Sequence, residues 1–260
     1  MLHRLLQAWQ ARRERSQLAR HAVPDALWEL TLARYPFIAR RKAEDRAALR
    51  RLCALFLARK EFHGVGGFQV TDEVAVAVAA QACLPVLALG LQAYDGFVGI
   101  VMHESQVVAP REFMDEDGVV HEYEEELAGE AMEGGPLMLA WSELQPDPAL
   151  GGGPVYNVVI HEFAHVLDMA NGAPDGVPAL PTAEATQAWI ELIDREWVLF
   201  CEQVDAEQDT LIDPYGAESV EEFFAVASEA FFVEPGAMQQ LHPALYALFA
   251  GFYRQDPAAG

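Results

Sequence analysis

The chain has 260 residues, 52% of them hydrophobic, so it can bury a full core as one globular domain or as one domain with a helical extension. A formal net charge of −23 argues against nucleic-acid binding and membrane binding as the main activity, because it repels phosphate backbones and anionic lipid. The charge is uneven, since residues 1–60 hold 14 of the 17 Lys and Arg against five of the 40 acids, a net +9 that leaves −32 for residues 61–260. We therefore expect a basic helical region at 1–60 packed on a larger acidic domain at 61–260, or one continuous domain.

The three cysteines, Cys53, Cys83 and Cys201, are far apart and odd in number. This pattern argues against both a disulfide framework and a cysteine zinc site. The N-terminal segment lacks the unbroken apolar stretch of a signal peptide, and no segment is long and apolar enough to span a membrane. The sequence thus predicts a cytoplasmic protein, with an amphipathic targeting sequence as the alternative for the Arg-rich N-terminus.

Apolar residues recur at helical spacing within residues 1–60 and predict two or three helices, punctuated by Pro24 and Pro36. Six basic residues lie in this region: Arg40, Arg41, Lys42, Arg46, Arg50 and Arg51. They could form an anion-binding face, but a solvated helix surface is the simpler explanation.

The middle of the chain alternates helix and strand signals. Thr71 or Asp72 can cap an almost wholly apolar helix over residues 73–89. Three strands are predicted, at residues 99–108, 119–123 and 137–141. The sequence therefore predicts a mostly helical α/β (α+β) fold with a small mixed sheet. The acidic stretch 114–135 between the strands includes the turn MDEDG; it either forms a solvated face or favours cationic substrates beside a cleft.

A further helix is predicted from Pro154 to about Asn171, and it carries the run HEFAH at residues 161–165. His161 and His165 are four residues apart, so both imidazoles project from one helix face and can bind one zinc ion. Glu162 is adjacent and can act as general base towards a metal-activated water, as in HExxH peptidases. The alternative is a pair of core histidines satisfied by neighbouring polar groups.

A catalytic zinc needs a third protein ligand, and the residues leave its identity open. Ser219 can start a helix on which Glu222 and Glu229 share one face, so either carboxylate could reach the ion. Glu222 could instead complete a capping box with Ser219. Three isolated histidines remain candidates: His103, His121 and His242. Asp168 follows on the same face as the two motif histidines and either hydrogen-bonds a histidine or a nearby backbone group, or lies on the helix surface.

Three segments together resemble one known family, the Mlc titration factor A metallopeptidases. They are HEFAHVLDMANG at 161–172, VTDEVAVAVAAQACL at 70–84 and YGAESVEEFFAVASEAFF at 215–232, and the likeness covers nearly the whole chain. The resemblance implies a zincin-like fold of the gluzincin type with a central HExxH helix. It also implies that Glu222 is the third zinc ligand, beside His161 and His165, and that Glu162 is the catalytic base.

The resemblance further implies that Tyr215 donates its phenol to the oxyanion of the reaction, although a tyrosine after proline is more often a half-buried turn residue. Glu229 matches a family glutamate and would orient a ligand. Aminopeptidase-like hydrolysis of peptides or small amino-acid amides is the implied activity. A regulatory protein that sequesters a transcriptional repressor similar to Mlc is the alternative, and a purely structural metal site is a third and weaker one. The 137–141 strand is expected at a sheet edge, where it could pair with an extended peptide.

Overall fold

The computed structural model describes residues 12, 14, 16–114, 120–132, 134–145 and 153–259, and helices dominate them. Residues 16–20 are helical. The following α-helices are α1 (Asp25–Arg34), α2 (Pro36–Ala39), α3 (Ala43–Leu57), α4 (Asp72–Ala82), α5 (Val158–Asp168), α6 (Ala183–Asp205), α7 (Val220–Val233), α8 (Pro235–Leu241) and α9 (Pro243–Tyr253). Short 3-10 turns lie at Leu91–Tyr94, Trp141–Leu144, Met169–Asn171, Pro214–Ala217 and Pro257–Ala259.

The helices expected within the first 60 residues are confirmed as α1, α2 and α3. Pro24 occupies the N-cap of α1 and Pro36 the first turn of α2, where a missing backbone N–H costs nothing. Helices α1 and α3 both pack against α4. Their buried side chains belong to the same hydrophobic core as those of the remaining chain.

The basic residues of this region mostly tie helix ends together. Arg41 is buried and its guanidinium donates to the Gln255 side chain. Arg40 donates to the Val233 carbonyl, and Arg46 donates to the Ala39 carbonyl. The set therefore combines residues that bond other segments with exposed ones, Lys42 and Arg51, and it is not a uniformly solvated helix surface.

The helix predicted for residues 73–89 is shorter than expected, because α4 ends at Ala82. Its start is as predicted, with the Thr71 hydroxyl accepting from the Val74 amide at 3.3 Å. Residues 83–89 form turns instead of helix. Pro85 lacks an amide hydrogen and its ring clashes with the preceding turn, which ends the helix even though the following residues are apolar.

A mixed four-stranded sheet lies at the centre. Its strands are β1 (Glu61–Gly64), β2 (Gly99–His103), β5 (Gly129–Ala131) and β6 (Leu137–Ala140), and a separate hairpin pairs β3 (Val107–Met114) with β4 (Val120–Leu127). The order is β1-β2-β6-β5, in which β1, β2 and β6 run parallel and β5 runs antiparallel to β6. Strand β5 therefore forms one edge.

Two strand predictions are wrong in detail. The strand expected over 99–108 is two strands, β2 and β3, which a bend at 104–106 sends into different sheets. The strand expected over 137–141 is not at an edge, because β6 lies between β2 and β5. All four residues of β6 are buried, as an unbroken apolar run requires when both faces of a strand are covered.

The strand predicted at 119–123 is part of β4, which continues through the acidic run to Leu127. The described part of the acidic stretch 114–135 therefore includes the end of β3, all of β4 and all of β5. Val119 and most of the predicted turn MDEDG lie outside the described residues.

Helices α5 and α7 pack against each other, and α5 also packs against β5 and β6. Phe163 on α5 meets Phe56 and Tyr94, with ring centroids 5.8 and 4.9 Å away. Behind α7, Phe224 meets Trp189 and Phe249 at 5.7 Å each. This aromatic packing fixes the two helices that carry the candidate metal ligands.

Candidate metal centre

Helix α5 carries the HEFAH run, but it begins four residues later than predicted. Asn157 is its N-cap, and the Asn157 side-chain oxygen accepts from the Ile160 amide at 2.9 Å. The Asn157 side-chain amide donates to Gln81 at 2.7 Å, which fixes the cap against α4. An asparagine that can accept from the first turn outweighs Pro154 as a start signal. The helix ends at Asp168, and Gly172 follows with a φ of 148°, close to the predicted stop.

Helix α7 brings Glu222 to the two histidines. The Glu222 Oε2 atom lies 3.1 Å from His161 Nε2 and 3.4 Å from His165 Nε2. The two Nε2 atoms are 3.1 Å apart, and the three potential ligand atoms lie within 4.8 Å of one another. Ser219 is the N-cap of α7 and accepts from the Glu222 amide at 3.3 Å. Only this half of the capping box is formed, because the carboxylate points to the histidines.

The donor set fits a cation. His161 Nδ1 lies 2.8 Å from Glu229 Oε1, and the other oxygen of Glu229 accepts from the Asn157 amide. With the Nδ1 hydrogen directed at Glu229, the Nε2 atom of His161 presents a lone pair towards Glu222. Glu222 Oε2 is buried and accepts no hydrogen bond. Acceptor atoms that converge in this way repel one another unless a positive charge lies between them.

The pKa values of these groups are strongly perturbed. Burial alone would raise the pKa of Glu222, but His161 and His165 outweigh it and lower the value to about 2. Burial would lower the pKa of His161, yet Glu222 and Glu229 raise it well above the usual value. A proton and a metal ion would therefore compete for His161, as they do at metal sites generally.

Glu162 is buried directly beneath β5. A Cβ added at Gly129 would lie 2.6 Å from the Glu162 Oε1 atom, so the strand passes over the carboxylate in van der Waals contact. The backbone of Ala131 hydrogen-bonds the same carboxylate. Burial raises the pKa of Glu162, while His161 and His165 oppose the shift. A raised pKa suits a group that must both accept and donate a proton near neutral pH.

Tyr215 lies beside His161. It sits in the Pro214–Ala217 turn, where the Asp213 side chain accepts from the Tyr215 amide at 2.9 Å. Its ring centroid is 6.2 Å from that of His161, and 41% of its surface is exposed. The phenol is therefore accessible beside the candidate ligands.

Asp168 is fully buried, and its Oδ2 atom accepts from the amides of Asp175 and Gly176 at 3.1 and 2.8 Å. Of the alternatives weighed from the sequence, the backbone partner matches this geometry. Burial raises the pKa of Asp168 to about 6, although the two amides oppose the shift. Asp168 thus anchors the loop after α5.

The other histidines lie elsewhere. Among the described residues, the cluster that could hold a metal ion consists of His161, His165 and Glu222. His103 and His242 are not part of it. The side chain of His121 falls outside the described residues.

Two features of the site were missed by sequence reasoning. Gly129 carries no motif, although a glycine at the start of a short strand can mark a close approach of backbone. Tyr156 immediately precedes the N-cap of α5, and its pKa is raised by burial and then by Glu143 and Glu229. It therefore lies close to the carboxylates of the site.

The chain is similar to known proteins over most of its length. A profile of the glucose-regulated metallo-peptidase M90 family matches residues 7–254. The chain belongs to this family. It is 34% identical to the Mlc titration factor A of Enterobacter sp. (strain 638), over 90% of this chain and 88% of that protein. It is 33% identical to the Klebsiella pneumoniae protein of the same name, over 89% and 87%.

A third relative, uncharacterized protein slr2042 of Synechocystis sp., is 36% identical over 96% of this chain and 90% of its own length. The resemblance seen in the sequence is thus confirmed, and family membership identifies a metallopeptidase-like protein. Within the part of the chain that the structure describes, no helix has the length and apolar character needed to cross a bilayer.

Proposed function

We propose that this protein is a zinc-dependent metallopeptidase of the gluzincin type with aminopeptidase-like activity on peptides or small amino-acid amides. The observation that carries the proposal is the convergence of two imidazole nitrogens and one carboxylate oxygen within 4.8 Å, beside a buried glutamate. His161, His165 and Glu222 would hold one ion and leave a position open, which is the ligand count of catalytic zinc.

The proposed reaction divides the work among few side chains. A bound zinc ion would polarise the scissile carbonyl and lower the pKa of water. Glu162 takes a proton from the water whose oxygen attacks the carbonyl carbon, and passes it to the leaving nitrogen as the C–N bond breaks. Tyr215 donates a hydrogen bond to the carbonyl oxygen as negative charge develops there. Glu229 accepts the Nδ1 hydrogen of His161 and so holds the lone pair of Nε2 towards the ion.

Residues 61–260 would form a zincin-like catalytic domain, with the basic helices of residues 1–60 packed on it and the whole located in the cytoplasm. The edge position of β5 supports the zincin-like assignment, because an extended peptide can add to a free edge above Glu162. The net −32 of residues 61–260 disfavours acidic substrates and favours a free amino group on the substrate.

The test is the Glu162→Gln variant with an amino-acid anilide as substrate. We expect turnover to fall by about 10²–10⁴-fold, the range for loss of a general base, while zinc content stays at one ion per chain. Glu221→Gln on α7 is the matched control, because Glu221 is not one of the candidate metal ligands. This variant should retain both turnover and zinc. Unchanged turnover in Glu162→Gln would show that Glu162 is not the general base.

A regulatory binding role is the second candidate, and relatives that carry the name Mlc titration factor A favour it. In that case the protein would sequester a transcriptional repressor similar to Mlc, and peptidase activity would be secondary. Direct contact with nucleic acid is not part of either proposal. Co-purification of a purified Mlc-type repressor with the inactive Glu162→Gln variant would support the binding role, and lack of any complex at micromolar concentrations would exclude it.

A further inference from the structure

A cavity of about 290 Å³ lies where β5 ends and turns towards β6. Its wall is formed by the β5–β6 turn, the last turn of α5 and the 3-10 turn near Phe97. The side chains that matter most are Phe97, Met132, Leu137, Val166 and Met169. No lining residue of the described chain is charged. Its described side chains are apolar except that of Gln92, so they contact an apolar group more favourably than a charged one, which would lose hydration without gaining an ionic partner among them.

The cavity adjoins the candidate metal centre. Ala131 lines it, and the Ala131 backbone hydrogen-bonds the Glu162 carboxylate. On the other wall, Val166 directly follows the candidate ligand His165. A group held in the cavity therefore lies next to the position where Glu162 would act.

The hydrogen-bond pattern of β5 shows which of its groups face outwards. The Ala140 amide donates to the Ala128 carbonyl across the sheet at 2.8 Å. Because backbone polar groups alternate along a strand, those of Gly129 and Ala131 face the free edge. The Ala131 amide already donates to the Glu162 carboxylate, so a peptide that adds there would pair with the Gly129 backbone and the Ala131 carbonyl, next to Glu162 at one end and the cavity at the other.

The direction of the strand then decides which side of the peptide bond enters the cavity. Antiparallel pairing is the more stable arrangement, and β5 runs from Gly129 towards Ala131 and the cavity. An antiparallel peptide runs the opposite way, from the cavity towards Gly129. The side chain in the cavity therefore belongs to the amino-terminal side of the bond above Glu162.

We propose that this cavity is the subsite for a large apolar side chain, such as Leu, Met or Phe, on the amino-terminal side of the scissile bond. The inference rests on the proposed peptidase function and adds the substrate class. The volume supports it, since about 300 Å³ is the lower limit of pockets that hold whole small-molecule ligands. A Leu, Met or Phe side chain fits within this space.

Binding of tripeptides to the zinc-loaded Glu162→Gln variant tests the subsite without turnover. By calorimetry we expect Leu-Gly-Gly to bind at least about tenfold more tightly than Ala-Gly-Gly, the effect of added methylene groups in an apolar pocket. Lys-Gly-Gly should bind no more tightly than Ala-Gly-Gly. Ala170→Phe, added to this variant, fills the cavity from an exposed position and should remove the preference. Ala188→Phe, at an exposed position on α6, is the matched control and should keep it.

Equal binding of the three peptides, absence of binding, or a Leu preference that survives Ala170→Phe would each overturn the subsite. Turnover of leucine and alanine anilides by the wild-type enzyme separates this failure from failure of the proposed function. If the wild type hydrolyses both anilides equally well and Ala170→Phe changes neither rate, the peptidase stands and the subsite is wrong. If the wild type hydrolyses neither while the Leu preference in binding persists, the cavity binds apolar side chains and the proposed catalysis is wrong.

Discussion

The candidate centre has a helical wall and a strand wall, and the two contribute in different ways. Helices α5 and α7 supply side chains, His161, His165 and Glu222, that converge because helix periodicity and packing aim them at one point. Strand β5 contributes backbone groups, and the lack of a side chain at Gly129 leaves room for the Glu162 carboxylate. The helical wall therefore depends on residue chemistry, whereas the strand wall depends on shape and hydrogen-bond direction.

The difference predicts two kinds of failure. Changes in the helical wall should remove the ion or the groups that act beside it, and zinc analysis detects loss of the ion. Changes in the strand wall should leave the ion bound and displace Glu162, which only kinetics detects.

The largest effect should come from Glu222→Ala. Removal of the carboxylate leaves two ligands, so zinc affinity should fall by more than the 10–100-fold typical of an outer-shell partner, and turnover should be lost. Metal analysis after dialysis measures this, with Glu221→Ala as the neighbouring control. Retention of one zinc per chain by Glu222→Ala would show that another group completes the site.

Tyr215→Phe should lower kcat by about 10²–10³-fold, the usual cost of losing one oxyanion donor, with zinc content unchanged. The ring stays in place beside His161, so only the hydroxyl is tested. Steady-state kinetics on an anilide substrate measures the effect. A decrease of less than about threefold would show that Tyr215 has a structural role in its turn and no role in the reaction.

Gly129→Ala tests the strand wall. The new methyl group would lie 2.6 Å from the Glu162 carboxylate, which is too close, so the carboxylate must shift. A shift of about 1 Å at a reacting group can cost about 10²-fold in kcat. Zinc should remain bound, because the ligands lie on the helices. Gly251→Ala is the control, since its added Cβ meets no atom within 4 Å. A wild-type rate in Gly129→Ala would mean that β5 does not hold the base in position.

The smallest effect concerns stability and not catalysis. The pKa of Asp168 is raised from 3.8 to about 6 in the folded state, so the folded protein binds the proton more tightly than the unfolded chain does. The stabilisation that this tighter proton binding gives the folded state is complete below about pH 4 and is lost as the pH rises through 6. The free energy of unfolding changes by about 3 kcal/mol. Chemical denaturation in the Glu222→Ala background, with and without Asp168→Asn, isolates it from metal binding. Identical pH profiles for the two proteins would contradict the shift.

Much of the helical wall could be predicted from sequence. The positions of His161, His165 and Glu162 follow from periodicity within one helix, which needs no tertiary information. The choice of Glu222 over Glu229 did not follow from residue types, because both lie on one face of α7. The structure places Glu222 against both imidazoles and Glu229 against the far nitrogen of His161, a distinction that the packing of α7 on α5 makes.

The strand wall could not be predicted. The sequence indicates an apolar strand near residue 137 but does not give its neighbours, and the edge was assigned to it in error. Strand β5 has three residues and no hydrophobic alternation, so no periodic signal identifies it. Its place above Glu162 depends on a hairpin and a turn that reverse the chain onto β6.

The sequence by itself determined the motif helix, the family resemblance and the acidic character of residues 61–260, because these depend on local spacing and composition. Tertiary structure explains why Glu222 and not Glu229 meets both histidines, and it alone decided which strand lies at the sheet edge and where the cavity opens. The physical reason is that helix periodicity is set by hydrogen bonds within one segment, whereas sheet order and cavity shape are set by contacts between segments distant in sequence.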